Sequence, residues 1–370
     1  MGQIILTTTI MGLSNMLGKR FDNDGKPTLK LNQLQARVKQ QVDSKVAENR
    51  YVFEKVPCAI CTSNDFETLS LKDRYGLYMP VVICKDCGLI QTNPRMSQES
   101  YNEFYNVEYR KLYGGQETPT NEFLVKQYGQ GRLIYRYVEK YLNEKSDGCQ
   151  LYVVEIGCGA GGILKYFYDK GCRVKGLDLG EEYIAYGKSV YGFDLSVGTA
   201  SSLDVNDRPD LIIYSHVLEH ILDPKSELEV IRQFMREGSM LYIEVPGIFN
   251  LAESYKYDFL RMMQNAHVYH FSLATLKNLM SSCGYSFISG DEKIRSLFEA
   301  GKSDAQIHNE IERVDYRKVM HHLRRVEFIR RVIPVYPNTV KYSLRRAVVL
   351  GLKKLGIYSA VKKGVWRLFG

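Results

Sequence analysis

The chain has 370 residues, of which 45% are hydrophobic and 25% charged, and this composition excludes a disordered chain, a collagen and a disulfide-dense mini-protein. The formal net charge of +8 is uneven, because residues 316–370 hold 14 Lys and Arg and one acid, a net of +13. The other 315 residues carry 36 basic and 41 acidic residues. The charge therefore favours an anionic partner such as nucleic acid for the tail only, and not for the whole protein.

The first predicted unit, residues 1–50, lacks a convincing secretory signal, because Lys19 and Arg20 follow the apolar stretch instead of preceding it. No run of about 18 apolar residues indicates a spanning helix. We expect a cytoplasmic protein, with peripheral attachment to the cytoplasmic face of the inner membrane as the alternative. Apolar residues at helical spacing predict one helix, which packs on the protein itself or forms a dimer seam, so the oligomeric state stays open. These residues are Leu31, Leu34, Val38, Val42 and Val46.

Two cysteine pairs mark the second predicted unit, residues 51–115, which we call the cysteine module. Cys58 and Cys61 are separated by 22 residues from Cys84 and Cys87. Each pair places two sulfurs on one tight turn, and two such turns close a tetrahedron around Zn²⁺. In a reducing compartment paired cysteines favour a metal over a disulfide. Four thiolates leave no open coordination position, so the pattern predicts a structural zinc ribbon, with unmetallated core cysteines or a redox pair as alternatives.

Tyrosines recur every four residues at the end of the cysteine module. Tyr101, Tyr105, Tyr109 and Tyr113 therefore share one face of a predicted helix. Such a face suits stacking on sugars or bases, and it suits packing between domains equally well.

The third predicted unit, residues 116–300, starts with a helix near 120–145 and continues as alternating strands and helices. The predicted strands are LYVVEI, RVKGLD, FDLSV, DLIIYS and MLYIEV, followed by the closing pair GYSFIS and IRSLFE. Between and after them, predicted helices end at Asp169 or cover Glu181–Val190, Lys225–Glu237 and Ser272–Cys283. This alternation predicts an α/β fold with a Rossmann-like, doubly wound and mainly parallel sheet.

A glycine loop, VEIGCGAGG, joins the first of these strands to a helix, where backbone amides can approach a ligand closely. Asp178 ends the second strand, 21 residues after Gly157, where a carboxylate can accept hydrogen bonds from both ribose hydroxyls. The loop also satisfies the glycine pattern of dinucleotide-binding proteins, which would indicate a dehydrogenase. However, it lacks a basic residue, and Glu155 suits an ammonium group better than a pyrophosphate. The ligand indicated is a nucleoside with an amino-acid tail, which describes S-adenosylmethionine.

Residues 120–300 resemble the class I S-adenosylmethionine-dependent methyltransferases through VEIGCGAGG, GLDLGEEYIAYGK, DLIIYSHVLEHILDP, LYIEVPG and HVYHFSLATLKNLMSSCGY, in that order. The resemblance implies a set of cofactor-binding residues: Glu155, Gly157, Cys158, Gly159, Gly161, Asp178, Leu179 and Ser215. Glu155 and the glycines would surround the methionine part, Asp178 the ribose and Leu179 the adenine. Thr199 and Ser201 stand where relatives often carry an acid for the adenine amine, so that contact is in doubt.

A second resemblance covers CKDCGLIQTNPRMSQESYNEFYNVEYR, which is similar to the N-terminal zinc-binding module of sugar-modifying methyltransferases. Deoxysugar C-methyltransferases and many enzymes of bacterial surface-polysaccharide pathways share this module. In those relatives it packs over the methyltransferase domain and closes the substrate pocket.

Histidines after the fourth and fifth strands are candidates for a general base, because these positions face the ligand crevice of an open α/β sheet. Sugar C-methyltransferases carry a Tyr-His-Glu-His motif before Phe-Ser-Leu, and the resemblance places His267 on its second histidine, the proposed base. Ala266 and Gln264 replace the glutamate and the tyrosine of that motif. This argues against carbon methylation and favours O-methylation. His216 and His220 are the alternative bases.

Some quinone-biosynthesis O-methyltransferases resemble this domain, and they suggest a metal-assisted mechanism as an alternative. Glu219 and His220 could bind a divalent cation, as in some of those enzymes. The bland interpretation is that the histidines organise the loops in which they stand.

The last predicted unit, residues 301–370, is a basic amphipathic helical extension. Within 316–370, apolar residues follow helical spacing, basic residues fill the other faces, and Trp366 stands near the end. This pattern fits a helix lying on an anionic membrane. Packing on the catalytic domain or oligomerisation is the next alternative, and nucleic acid is the third.

The favoured function is O-methylation of a sugar or glycan intermediate, carried as a small molecule or linked to a nucleotide or lipid. The first alternative is an RNA methyltransferase that uses the zinc ribbon and the tail for RNA. Against it, no Asn/Asp-Pro-Pro-aromatic motif follows the fourth strand and no Pro-Cys pair is present. The second alternative is a non-catalytic scaffold, which would need a dead cofactor site although the glycine loop and Asp178 are intact.

Overall fold

The computed structural model describes residues 17–114, 120–143, 150–204, 206, 208–301 and 314–332. The strands are β1 (Phe53–Glu54), β2 (Phe66–Lys72), β3 (Tyr78–Cys84), β4 (Ile90–Thr92), β5 (Arg95–Met96), β6 (Tyr152–Ile156), β7 (Arg173–Asp178), β8 (Asp194–Val197), β9 (Leu211–Ser215), β10 (Met240–Glu244), β11 (Tyr269–His270), β12 (Tyr285–Gly290) and β13 (Arg295–Ala300). The α-helices are α1 (Gln33–Ala47), α2 (Gln98–Phe104), α3 (Asn121–Asn143), α4 (Gly162–Asp169), α5 (Glu181–Tyr191), α6 (Pro224–Phe234), α7 (Leu251–Tyr255), α8 (Phe259–Met262), α9 (Leu273–Ser282) and α10 (Tyr316–Val332). A π-helix at Tyr105–Gly114 continues directly from α2.

The predicted alternation of strands and helices is confirmed as a seven-stranded sheet in the order β12-β13-β10-β9-β6-β7-β8. The five strands from β6 to β10 are parallel, and β13 and β12 close the sheet in antiparallel fashion. All five residues of β6 are buried, as expected for a strand covered by helices on both faces. The chain reverses its direction of winding between β6 and β9, so a crevice opens beyond their carboxyl ends.

The cysteine module contains a second, four-stranded sheet, and one strand of this sheet comes from a later part of the chain. The order is β11-β4-β3-β2, so β11, which follows β10 along the chain, is an edge strand beside β4. Tyr269 pairs with Gln91 and His270 with Ile90. The segment predicted to carry the catalytic base is thereby fixed to the cysteine module through backbone pairing.

The predicted N-terminal helix is confirmed as α1, which opens with a capping box at Asn32. Val38 and Val42 are buried in one cluster with Cys58 and Leu112 of the cysteine module. The apolar face of this helix is therefore covered by the protein itself, as the packing interpretation predicts.

The first helix of the basic tail is α10, and its apolar side is buried against other parts of the chain. Val319 and Leu323 pack in one cluster with Phe21 and Met79. Glu327, the single acid of the tail, bonds Arg330 and Arg20. The apolar side of residues 316–332 is therefore covered within the chain, while contact of the tail with a membrane or nucleic acid stays a prediction.

The remainder of the predicted membrane contact, residues 333–370 with Trp366, lies outside the described residues. None of the helices in the described part of the chain combines the length and the apolar character that crossing a bilayer requires.

Candidate active site

The glycine loop after β6 has the backbone geometry that its sequence predicts. Gly157 and Gly159 have φ of 71° and 56°, which residues with a Cβ rarely adopt. A Cβ on Gly157 would collide with the Val217 side chain. The loop therefore keeps its backbone exposed to the crevice, where a ligand can approach closely.

Asp178, at the end of β7, is held beside this loop by three hydrogen bonds. Its Oδ2 accepts from the Gly159 N–H at 2.9 Å, and its Oδ1 accepts from the Gly180 N–H at 2.7 Å. Arg110 of the π-helix donates to the same Oδ1 at 3.1 Å, and its guanidinium lies 3.8 Å from the centre of the Tyr183 ring. A carboxylate offers about four acceptor positions, so one is left for a ribose hydroxyl while Arg110 stays in place.

A cavity of about 1380 Å³ lies between the sheet and the cysteine module. Four predicted cofactor residues line it, namely Gly157, Gly159, Asp178 and Leu179, and Leu179 is 55% exposed. Thr199 and Ser201 also line it and hydrogen-bond each other at 3.2 Å instead of presenting an acid.

The other predicted cofactor residues stand behind this lining among the described residues: Glu155, Cys158, Gly161 and Ser215. Burial raises the pKa of Glu155 well above its usual value, and Oε2 of this carboxyl has no hydrogen-bond partner in the described part of the chain. A buried carboxyl with a free oxygen fits an incoming ammonium group, which would supply the missing partner and favour the ionised form. The donor set thus fits S-adenosylmethionine.

The predicted base residues form a compact group around Glu219, which we call the histidine cluster. One oxygen of this buried carboxylate lies 3.5 Å from His216 Nδ1, 3.9 Å from His220 Nε2 and 3.9 Å from His267 Nε2. These distances exceed ordinary hydrogen bonds, and neither oxygen of Glu219 has a hydrogen-bond partner among the described residues. The sequence predicted that these histidines face the crevice, but it did not predict that Glu219 lies between them.

The three histidines do not reach the cavity equally. His216 and His220 line it, whereas His267, the first choice of the sequence analysis, lies behind His220 with ring centroids 4.7 Å apart. His216 has φ of 58°, an unusual backbone for a residue with a Cβ, and such positions cluster at functional sites. The role of His267 as base stays a prediction, and its position suits orienting His220.

Burial and charge separate the histidine pKa values. Burial acts to lower the pKa of His216, but the neighbouring Glu219 outweighs it and the pKa is raised. Burial lowers the pKa of His220 and, with the positive charges around it, lowers that of His267 well below its usual value. Burial also lowers the pKa of His270 to about 3, and neither ring nitrogen of this residue has a partner among the described residues. Apart from His216, these imidazoles are neutral near pH 7.

The predicted tyrosine face forms the opposite wall of the cavity. All four tyrosines line it, and neighbouring rings contact each other, with Tyr105 and Tyr109 stacked at 4.4 Å. Tyr101 is buried and its hydroxyl lies 2.7 Å from both the His220 and the Ala266 carbonyls. Tyr101 thus joins the module to the histidine cluster, while Tyr105 and Tyr109 face His220 edge-on. The packing interpretation is therefore met at Tyr101, and stacking of these tyrosines on a sugar or base stays a prediction.

The four cysteines of the module converge. Sγ of Cys58 lies 3.4 Å from that of Cys87, Sγ of Cys61 lies 3.5 Å from that of Cys84, and all four lie within 4.8 Å of one another. Ligands about 2.3 Å from a tetrahedral zinc are roughly 3.8 Å apart, so the donor set fits Zn²⁺.

Comparisons with known proteins agree with this geometry. Residues 127–289 match a protein family described as a methyltransferase domain. An uncharacterized methyltransferase of Staphylococcus carnosus is 24% identical over 143 residues, which are 38% of this chain and 67% of that protein. A ubiquinone biosynthesis O-methyltransferase of Nitrobacter winogradskyi is 30% identical over 106 residues, and the match covers 27% of this chain and only 41% of that protein.

Solved structures with a similar arrangement include two methyltransferases. An S-adenosylmethionine-dependent methyltransferase from Clostridium acetobutylicum has 14% identity and a TM-score of 0.37, over 55% of this chain and 99% of that chain. The 1,6-didemethyltoxoflavin-N1-methyltransferase of Burkholderia thailandensis, solved with S-adenosylhomocysteine, has 16% identity and a TM-score of 0.40, over 60% of this chain and 93% of that chain. The sequence matches and the glycine loop with Asp178 lead to one conclusion. Residues 127–289 are similar to a methyltransferase domain, and their glycine loop and Asp178 fit S-adenosylmethionine as the cofactor.

Proposed function

We propose that the protein transfers the methyl group of S-adenosylmethionine to a hydroxyl of a sugar or glycan intermediate. One observation carries the proposal: four of the predicted cofactor residues and two histidines of the histidine cluster, His216 and His220, line the same cavity. When bound there, the cofactor supplies an activated methyl group. Methyl transfer is an in-line displacement, so the residues of the chain must align the acceptor and remove its proton.

The wall of the cavity that carries the tyrosine face has side chains suited to binding a sugar. The amides of Gln98, Asn102 and Asn106 line the cavity beside Tyr105 and Tyr109. Aromatic faces pack against the C–H faces of a sugar ring, while planar amides both donate to and accept from its hydroxyls. Such a lining combines apolar area with a few placed polar groups, as small-molecule sites do.

The histidine cluster supports proton removal from a hydroxyl. His216 and His220 are the two members that line the cavity, and one oxygen of the buried Glu219 carboxylate lies 3.5 Å from His216 Nδ1 and 3.9 Å from His220 Nε2. A carboxylate in that position orients an imidazole and stabilises the imidazolium that forms when it takes a proton. Gln264 occupies the place of the tyrosine of carbon-methylating relatives and contacts the His267 ring.

The pH dependence of the reaction distinguishes the two bases. A base works when neutral, so the rate rises with pH through its pKa. Because the pKa of His216 is raised, catalysis by His216 predicts an acid limb of kcat/KM centred above about 6.5. Because the pKa of His220 is lowered, catalysis by His220 predicts a rate that is already level at that pH. In either case, replacement of the true base by Ala lowers kcat by about 10²–10⁴-fold.

The direct test of the acceptor uses S-adenosylmethionine with a labelled methyl group and three acceptor pools: nucleotide sugars, neutral oligosaccharides and total tRNA. Label in a sugar as an alkali-stable ether supports the proposal. Label in RNA alone contradicts it and favours the RNA alternative, and failure of the protein to bind S-adenosylmethionine at all favours the scaffold.

A divalent cation is a second candidate for the histidine cluster. Glu219, His220 and His267 each offer a buried ligand atom, and these atoms lie within 4.8 Å of one another. Two imidazoles and one carboxylate are a recognised donor set for transition metals. Metal analysis decides: one metal per chain in both wild type and Glu219→Gln supports the base, whereas a second metal that is lost in the variant supports the cation.

We further propose that Cys58, Cys61, Cys84 and Cys87 hold a structural zinc. The convergence of four sulfurs on one point supports this assignment. The cysteines lie in the cluster that packs α1 and the tyrosine wall, so the metal would stabilise the wall that faces the acceptor.

A further inference from the structure

An arginine at the acceptor end of the cavity has no ion-pair partner in the described part of the chain. Arg74 lines the cavity, and no carboxylate of the described residues lies within ion-pair distance of its guanidinium. Its neighbour Asp73 is occupied, since it accepts from the Tyr75 and Leu77 N–H groups and from the Tyr113 hydroxyl. We propose that Arg74 recognises a negatively charged group of the acceptor, a phosphoryl or carboxylate. This inference rests on the proposed function, because it names the acceptor class of the same site.

Arg74 is held in place before any ligand arrives. It stands in the turn between β2 and β3, where its N–H donates to the Met263 carbonyl at 3.0 Å and its carbonyl accepts from the Thr28 N–H at 2.7 Å. The guanidinium lies 5.0 Å from the ring centre of Tyr75 and 4.9 Å from that of Tyr113. Contacts with aromatic faces restrict a guanidinium without using its N–H groups.

Those N–H groups are largely unsatisfied. Nε of Arg74 is buried and has no hydrogen-bond partner among the described residues, and Nη1 makes one long bond of 3.4 Å to the Arg261 carbonyl. Asn265, which is 6% exposed and donates its backbone N–H to the Tyr113 hydroxyl, has a second buried donor without a partner, Nδ2. Both unpaired groups are donors, so the missing partner is an acceptor. A partly desolvated cation further favours an acceptor with negative charge.

The location connects this charge to the reacting end of the site. Arg74 donates hydrogen bonds to the carbonyls of Met263 and Arg261, so it lies against the segment that leads into His267 of the histidine cluster. The other arginine of the cavity, Arg110, is already paired with Asp178 at the cofactor end. Within the described lining, Arg74 is therefore the arginine that is left for the acceptor.

The test uses the full chain saturated with S-adenosylhomocysteine, which has no methyl group to transfer. Three probes are titrated by calorimetry: uridine diphosphate for a phosphoryl group, D-glucuronate for a carboxylate and D-glucose as the neutral sugar. We expect one of the anions to bind more tightly than glucose, and its affinity to fall about tenfold or more in Arg74→Gln, the size of one charge-assisted hydrogen bond. Arg50→Gln, which removes the same charge from an exposed position just before the cysteine module, should change the affinity less than about twofold.

Each other outcome is also decisive. Anions that bind no better than glucose, or that bind Arg74→Gln as well as wild type, overturn the inference. Unchanged affinity of Arg74→Gln for S-adenosylhomocysteine shows that the variant is folded. Wild-type protein that fails to bind S-adenosylhomocysteine would overturn the proposed function as well, whereas normal cofactor binding without an anion preference overturns only the role of Arg74. The anion that binds identifies the source of the charge.

Discussion

The two walls of the cavity are built from different kinds of structure. The methyltransferase wall uses a glycine loop and short side chains at the carboxyl ends of β6 and β7. The module wall uses long side chains, the tyrosines and Arg110, on α2 and a π-helix. The first wall offers backbone and carboxylate groups suited to one fixed cofactor, and the second offers aromatic and amide groups suited to a variable acceptor. If the proposed function holds, acceptor choice depends on how the cysteine module is held.

Removal of the proposed zinc should disrupt the structure of the module wall and leave the methyltransferase wall folded. We expect Cys61→Ser to abolish a stoichiometry of about one zinc per chain and to destabilise the protein by about 3–5 kcal/mol, because the four thiolates join two turns of the module. Metal analysis and thermal unfolding measure both effects. Cys172→Ser alters a buried cysteine that directly precedes β7, far along the chain from the four predicted ligands, and should keep the zinc. A wild-type protein that is reduced, folded and free of zinc would refute the metal site.

Asp178→Ala should disable the methyltransferase wall alone. The carboxylate is expected to accept hydrogen bonds from the ribose, and loss of charge-assisted bonds worth about 3 kcal/mol weakens S-adenosylmethionine binding roughly 100-fold. Isothermal calorimetry measures the affinity. Asp194→Ala, an exposed change on β8 of the same sheet, serves as the control and should bind normally. Equal affinity in Asp178→Ala and wild type would place the cofactor elsewhere.

The π-helix depends on one buried acid, and its replacement should loosen the module wall. Glu108 is 1% exposed and bonds Lys45 at 2.5 Å and the Tyr51 hydroxyl at 2.6 Å. Glu108→Ala deprives the buried Tyr51 hydroxyl of its acceptor and the half-buried Lys45 of one of its two carboxylates, and it should cost about 2–4 kcal/mol in the free energy of unfolding. Glu103→Ala removes the other, more exposed partner of Lys45 and should cost less than about 1 kcal/mol. Equal losses in urea unfolding would show that the buried pair does not hold the helix.

Arg110→Gln probes an ion pair that joins the two walls, between Arg110 and Asp178. Arg110 occupies an acceptor position on Asp178 that a second ribose hydroxyl would need. We therefore expect the variant to bind S-adenosylmethionine more tightly, by a few-fold, since a partly exposed ion pair is worth about 0.2–1 kcal/mol. Weaker binding in calorimetry would mean that Arg110 belongs to the cofactor site instead of competing for it.

The methyltransferase wall could be predicted from the sequence because its signals are local. Strand residues run as short apolar blocks, and the glycine loop and Asp178 follow directly from the ends of β6 and β7. Even the predicted bounds of β7, RVKGLD, agree with the structure. Cofactor contacts of this kind depend on backbone positions within one β-α-β unit.

The module wall could not be predicted in the same way, because its contacts join distant parts of the chain. Nothing in the local sequence pairs β11 with β4, places Arg110 on Asp178, or leaves Arg74 unpaired between two tyrosine rings. Four-residue spacing did identify the tyrosine face, but a π-helix and an α-helix share that signal over ten residues. The central position of Glu219 was missed because its three histidines come from two loops.

The most direct measurement is a crystal structure of the full chain with S-adenosylhomocysteine. We predict that the ribose hydroxyls lie within about 3.2 Å of the Asp178 carboxylate, in place of Arg110, and that the sulfur faces His216 and His220. A cofactor bound away from Asp178, or with its sulfur turned away from the histidine cluster, would contradict the assignment of one reaction to both walls.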